Sequence, residues 1–195
     1  MIVMPNTPGI RKAVPREIDY GITQRPPLGA PSTRITRGGT RLAARIEYPD
    51  MSALDAMAFI SRLRRGREEG VRIRYPLAGV DQSGVGAPTV NGSGAAGTSL
   101  PVTGATPGAT VREGFWLTVR DAAGNRYLHT VSADVVLVSG SATLPVWPPL
   151  RAVLASGSPV EFAAPTMEGW VVSEISWPLP HTRIVSIGFD LEEAQ

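Results

Sequence analysis

Cysteine is absent from the 195 residues. That excludes a disulfide scaffold, a thiolate zinc site and a thiol nucleophile together. Histidine is scarce: His129 and His181 are the two in the chain, too few for a multi-histidine metal centre. Charged residues make up only 18% and aromatic residues 6%. Long apolar runs are missing as well; the densest, Val135 to Val138, falls far short of the roughly 20 residues that span a bilayer. The opening MIVMPNTPGIRKAVPRE has no extended apolar core, so no signal peptide and no membrane insertion are expected. Abundance lies elsewhere, in 21 Gly and 18 Pro, a fifth of the chain, which favours short strands and turns over helices. Apolar residues at 43% suffice for a core.

The net charge of +2 conceals a polarity. Residues 1–75 carry 14 Lys and Arg against 7 Asp and Glu, and residues 76–195 carry 5 against 10, so one part is +7 and the other −5. Such a split suits a surface that meets anions, nucleic acid among them, or a chain whose basic part docks on the acidic part of the next copy, a head-to-tail contact that can close into a ring. Arg62, Arg64, Arg65 and Arg67 are the densest basic cluster. No aromatics interleave with them, which weakens a nucleic-acid reading, and the polar end of an amphipathic helix explains them equally well.

Read along the chain, residues 1–34 form an extended arm punctuated by PNTPG and QRPPLGAP, with a strand near Ile18 to Thr23. ITRGGTRLAARIEYP reads as a hairpin turning at Gly38-Gly39, with Ile35 opposite Leu42 and with Leu42, Ala44 and Ile46 on one buried face. Ser52 and Asp55 form a capping box for a helix over 52–65 whose stripe is Leu54, Met57, Ile60 and Leu63, beside Ala53, Ala56 and Phe59, with Gly66 as its stop. Val71, Ile73 and Tyr75 mark the next strand. Residues 77–110, nearly free of charge, read as a Gly-rich long loop or hairpin. Further strands are expected at 115–120, 127–133, 135–139, at 143–147 before Pro148-Pro149, and at 160–163, 169–175 and 183–191. The fold class that results is mainly β (α+β): a β-sandwich or split barrel with one helix, plus a small barrel-like β subdomain.

Motifs for chemistry are weak. Gly92-Ser93-Gly94-Ala95-Ala96-Gly97 matches the dinucleotide fingerprint in letters, but no helix pattern follows to hold a pyrophosphate. His129 alternates with Tyr127 and Val131 on a strand, His181 sits in a Pro-rich loop, and neither has a nucleophile at a recognisable spacing. Asp121 and Asn125 flank a Gly turn and suit turn chemistry better than cation binding. Glu68-Glu69 and Glu192-Glu193 are adjacent pairs, and strand neighbours point to opposite faces. No enzyme, cofactor or metal site is expected.

Several stretches resemble a known family: GGTRLAARIEYPDMSALDAMAFISRLRRG, GAPTVNGSGAAGTSLPVTG, VREGFWLTV, and ATLPVWPPLRAVLASGSPVEF, in which Pro148-Pro149-Leu150-Arg151 followed by Ser156-Gly157 and Val160 is the most specific piece. They are similar to the distal-tail or minor-tail proteins of long-tailed phages and gene transfer particles, over roughly residues 35–193. The resemblance implies a structural virion protein at the tail tip, assembled in the host cytoplasm into a ring, generally of six copies. Its partners would be itself, the tail tube protein and the tail hub, with DNA only in transit through the channel. The implied domains are the arm 1–34, a ring-forming β domain of 35–76 and 152–195, the Gly-rich segment 77–110 and an inserted subdomain 111–151. Candidate contacts are Arg62, Arg64, Arg65, Arg67, Glu192 and Glu193. The alternatives are a carbohydrate- or receptor-binding module using Trp116 and Trp147 among the four tryptophans, a cell-wall hydrolase built on His129, and nucleic-acid binding through the arginines.

Overall fold

The computed structural model describes residues 1–25, 29, 31–35, 39–92, 95–177 and 184–194. Two six-stranded sheets carry the chain, each over its own apolar core, with one helix against the first. The mainly β reading, with one helix and a barrel-like subdomain, holds.

The first sheet runs in the order Ile2–Val3, Val71–Arg74, Thr166–Val171, Gly188–Glu193, Arg41–Glu47, Lys12–Ile18. Its first pair is parallel and the others antiparallel. Leu42, Ala44 and Ile46 are buried as their alternation requires, and they join Ile73, Met167, Phe189 and Leu191 beneath Phe59 and Leu63 of the helix. The hairpin expected around Gly38-Gly39 differs in its pairing. Ile35 faces Ile22, in a small hairpin of Ile22–Gln24 with Thr33–Ile35, while Leu42 faces Glu17. Gly38 itself lies outside the described residues, as do Ser93, Gly94, His181 and Arg183.

The helix spans Ala53–Glu69. The Ser52 hydroxyl accepts from the Asp55 backbone N–H at 3.2 Å and donates to its carboxylate at 2.7 Å, so the predicted cap is real. Its far end is not where Gly66 would have placed it. Gly66 is buried inside the helix, where any Cβ would collide with Val71 Cγ2, and the turn comes instead at Gly70, with φ 76°. Gly66 therefore serves close helix–strand approach, not termination. The buried stripe is Ala56, Phe59, Leu63 and Gly66, whereas Leu54 and Met57 are 78% and 66% exposed.

The second sheet runs Val160–Glu161, Trp116–Arg120, Arg126–Val131, Ala142–Leu154, Ala95–Ala105, Gly86–Val90. Its two ends are drawn together by Val90 N–H donating to Ser158 O and Gly157 N–H donating to Val90 O, both at 2.9 Å. The result is a nearly closed barrel filled by Leu100, Val102, Leu117, Val119, Val131, Leu144, Val146 and Phe162. Within the segment 77–110, read from composition as a Gly-rich loop or hairpin, Gly86–Val90 and Ala95–Ala105 pair as two antiparallel barrel strands, with Leu100 and Val102 inward and the residues from Ala96 to Ser99 exposed. The barrel thus reaches from Gly86 to Glu161, beyond the expected 111–151. Pro148-Pro149 does not stop its strand either. Ala142–Leu154 runs through both prolines, which sit where the ladder to Ala95–Ala105 shifts register between Pro145 and Leu150, a place where missing N–H donors break no paired bond.

The two cores share a wall. On Arg126–Val131, Leu128 packs in the first core and Val131 in the barrel. Thr118 and Thr166 exchange hydrogen bonds across it, Oγ1 to O at 2.8 Å and N–H to Oγ1 at 2.7 Å. On the barrel side of it, Gln82 is held by three bonds, donating to Trp116 O and Phe162 O and accepting from Trp116 N–H.

Candidate functional site

The surface that most resembles a docking element is the small hairpin. All six residues of Ile22–Gln24 and Thr33–Ile35 are exposed, Ile22 at 46% and Ile35 at 43%. A two-stranded ribbon without a face of its own to bury is marginal in water. What anchors it is its base. Gly21 N–H donates to Asp19 Oδ1 at 2.7 Å, Arg34 pairs with the Asp19 carboxylate, and Arg41 donates to the Tyr20 hydroxyl at 2.7 Å while lying over its ring. The hairpin follows directly from Lys12–Ile18, the outer strand of the first sheet. That edge carries Pro15 with Lys12, Arg16 and Glu17, residues that blunt an edge against pairing, so the hairpin offers the better contact.

The predicted contact residues separate. Arg62, Arg64, Arg65 and Arg67 are all exposed on the helix. Arg62 donates to Val3 O at 2.9 Å, tying the helix to the chain start, and Arg65 pairs with Glu69 one turn on at 3.2 Å. Arg64 and Arg65 also line a groove with Met57, Ile60 and Trp177. Glu192 is half-buried and pairs with Arg41 at 3.4 Å. Glu193 is a correction: it is fully buried and cannot face a partner. It continues the buried face of Phe189 and Leu191, on the opposite side of the strand from Glu192.

Glu193 is the centre of the polar seam between the lobes. Its carboxylate accepts from Leu42 N–H at 3.2 Å and Leu128 N–H at 2.9 Å and pairs with Arg151 of the barrel at 2.6 Å. Burial pushes its carboxyl above the usual range, with Arg151 and the two N–H donors acting the other way. Arg151 is mostly buried and lies over the Tyr127 ring.

His129, the candidate base, is fully buried, with Nδ1 donating to Pro148 O at 2.8 Å and Nε2 without a partner. Burial lowers its pKa to about 4, and the Arg151 charge adds to that, so the ring is neutral at pH 7. Asp121 and Asn125 bond to each other, Asn125 N–H and Nδ2 donating to the two carboxylate oxygens at 2.9 and 2.8 Å, as turn chemistry predicts. Among the described residues no group of three or more His, Asp and Glu could hold a metal ion. Two of the tryptophans have structural partners. Trp116 packs on Tyr75 with ring centroids 4.4 Å apart, and the Trp147 indole donates to Glu17 at 3.1 Å, tying the barrel to the first sheet. Against known proteins, no family model and no curated protein matches this chain.

Proposed function

We propose that this chain is a structural, non-enzymatic protein of a phage tail tip, forming a ring of copies, six by the resemblance, that joins the tail tube to the hub and receptor-binding apparatus. The observation that carries the reading is the hairpin 22–35, whose described strand residues are all solvent-exposed and include apolar Ile22 and Ile35. Each such side chain is already about half covered, so it contributes about 1 kcal/mol when a neighbour covers the rest, a term repeated at every contact around a closed ring.

Light scattering after size exclusion tests the assembly. The wild-type chain is expected to run as a closed oligomer, and the double variant Ile22→Asp/Ile35→Asp as a folded monomer with an unchanged circular dichroism spectrum. Labelling of purified particles tests the location, and a chain absent from virions refutes the role.

A further inference from the structure

Three arginines from both lobes converge on one cavity. Arg72 comes from the first sheet, and Arg120 and Arg126 from the two barrel strands on either side of the turn at 121–125; the space between that turn and the one at 155–159 is about 490 Å³. Around it, cations outnumber the acceptors that could satisfy them. Glu168 is buried and fully committed: one carboxylate oxygen pairs with Arg72 and stands 3.9 Å from Arg126 Nε, and the other accepts the Arg126 backbone N–H at 3.1 Å. Asp121, at the rim, spends its oxygens on Asn125 and on the Tyr127 hydroxyl. Arg126 donates through Nη1 to Thr166 Oγ1 at 3.1 Å, but its Nε is buried without an acceptor. Arg120 is exposed and forms no ion pair among the described residues. Burial first, and then the Arg72 and Arg120 charges, hold the Arg126 guanidinium below its usual range, with Glu168 and Glu161 acting the other way.

We propose that this cavity binds a small oxyanion, a phosphate or carboxylate group on a compact polar body. Guanidinium forks match both groups in geometry. Among the lining residues themselves, Arg72, Arg120 and Arg126 stand against the single carboxylate of Asp121, with Glu168 and Glu161 acting on Arg126 from behind them. Ser156 and Ser158 stand on the opposite wall with the small residues Ala155 and Gly157, leaving room for a polyol beside the charged group. The volume lies within the range of small-molecule sites. This inference is independent of the ring: it concerns a pocket on each copy, and a monomeric variant retains it.

Titration calorimetry at fixed ionic strength tests it with inorganic phosphate, glycerol 3-phosphate and glucuronate, and with glycerol as the neutral control. Saturable binding of the two phosphates alone assigns a phosphoryl ligand, of glucuronate alone a carboxylate, and of all three a general oxyanion site. Arg120→Gln, at an exposed position, is expected to weaken binding about tenfold, the loss of one charge-assisted contact, with unchanged thermal melting, and amide shifts of Gly124 and Ser158 on phosphate addition should locate the ligand. The proposal is overturned if none of the three anions saturates, if glycerol binds as tightly, or if Arg120→Gln binds like the wild type.

Discussion

Glu193 and Arg151 form a buried pair in which the carboxylate also accepts two backbone N–H groups, while the guanidinium nitrogens have no well-directed acceptor. Removing one partner from such a pair typically costs about 3–5 kcal/mol, because the other charge stays in a dry interior. Glu193→Gln should therefore lower the unfolding free energy, measured by chemical denaturation, by that order, and Glu193→Leu combined with Arg151→Met should recover most of it; a single variant as stable as the wild type would mean that water reaches Arg151. His129 makes a pH-dependent contribution of opposite cause. Its folded-state pKa of about 4 lies below the ordinary 6.5, so between those values the unfolded chain takes up a proton that the folded one refuses. Stability is then lost as pH falls from 6.5 towards 4, by about 3 kcal/mol at most. Glu193, with a raised carboxyl pKa, acts in the reverse sense over its own window, so the test is a difference: the wild type should lose more stability than His129→Gln between pH 7 and 4. Glu193 was misread in the sequence as a partner contact, although the strand pattern held the signal of its burial. The alternation Val185, Ile187, Phe189 continues through Leu191 to Glu193, and a carboxylate on the apolar side of a strand implies a buried cation. Which cation it was could not be read, since Arg151 lies 42 positions earlier (193 − 151), on a strand of the other lobe.

At the scale of elements, local rules succeeded where the partner was local and failed where it was distant. The Ser52–Asp55 cap needs only its own turn, and the sequence reading placed it within a residue. Gly66 needs Val71, on a strand that returns beneath the helix, and so its letter read as a stop. Gly66→Ala separates the two meanings. Helix propensity alone would make it stabilising by roughly 1 kcal/mol, whereas the collision with Val71 predicts a loss of about 1–3 kcal/mol, measured by chemical denaturation. The Gly-rich hairpin 86–105 was half-visible for a related reason. Composition spoke of turns, and only the Leu100–Val102 alternation revealed a strand, one whose pairing with Ala142–Leu154 is a long-range fact. Leu54 and Met57 misled because apolar residues at helical spacing mark a face without saying which face the sheet takes.

For the molecule as a whole, composition already gave a β fold with one helix, and the low charge and missing cysteine gave the kinds of chemistry to discount. The division into lobes was harder, because the barrel strands at 86–105 and 160–161 lie outside the segment whose hydrophobic pattern announced it. The seam is where the lobes meet, and Arg126–Val131 contributes one face to each of their interiors. Melting one lobe alone would strip a wall from its neighbour and leave Glu193 and Thr118 without their bonding partners, so the two are expected to melt together. Calorimetry of the monomeric Ile22→Asp/Ile35→Asp variant should accordingly give one transition, with equal calorimetric and van't Hoff enthalpies. A molecule of this build behaves as a single rivet: force applied to one lobe is borne by the other, and the chain yields all at once or not at all.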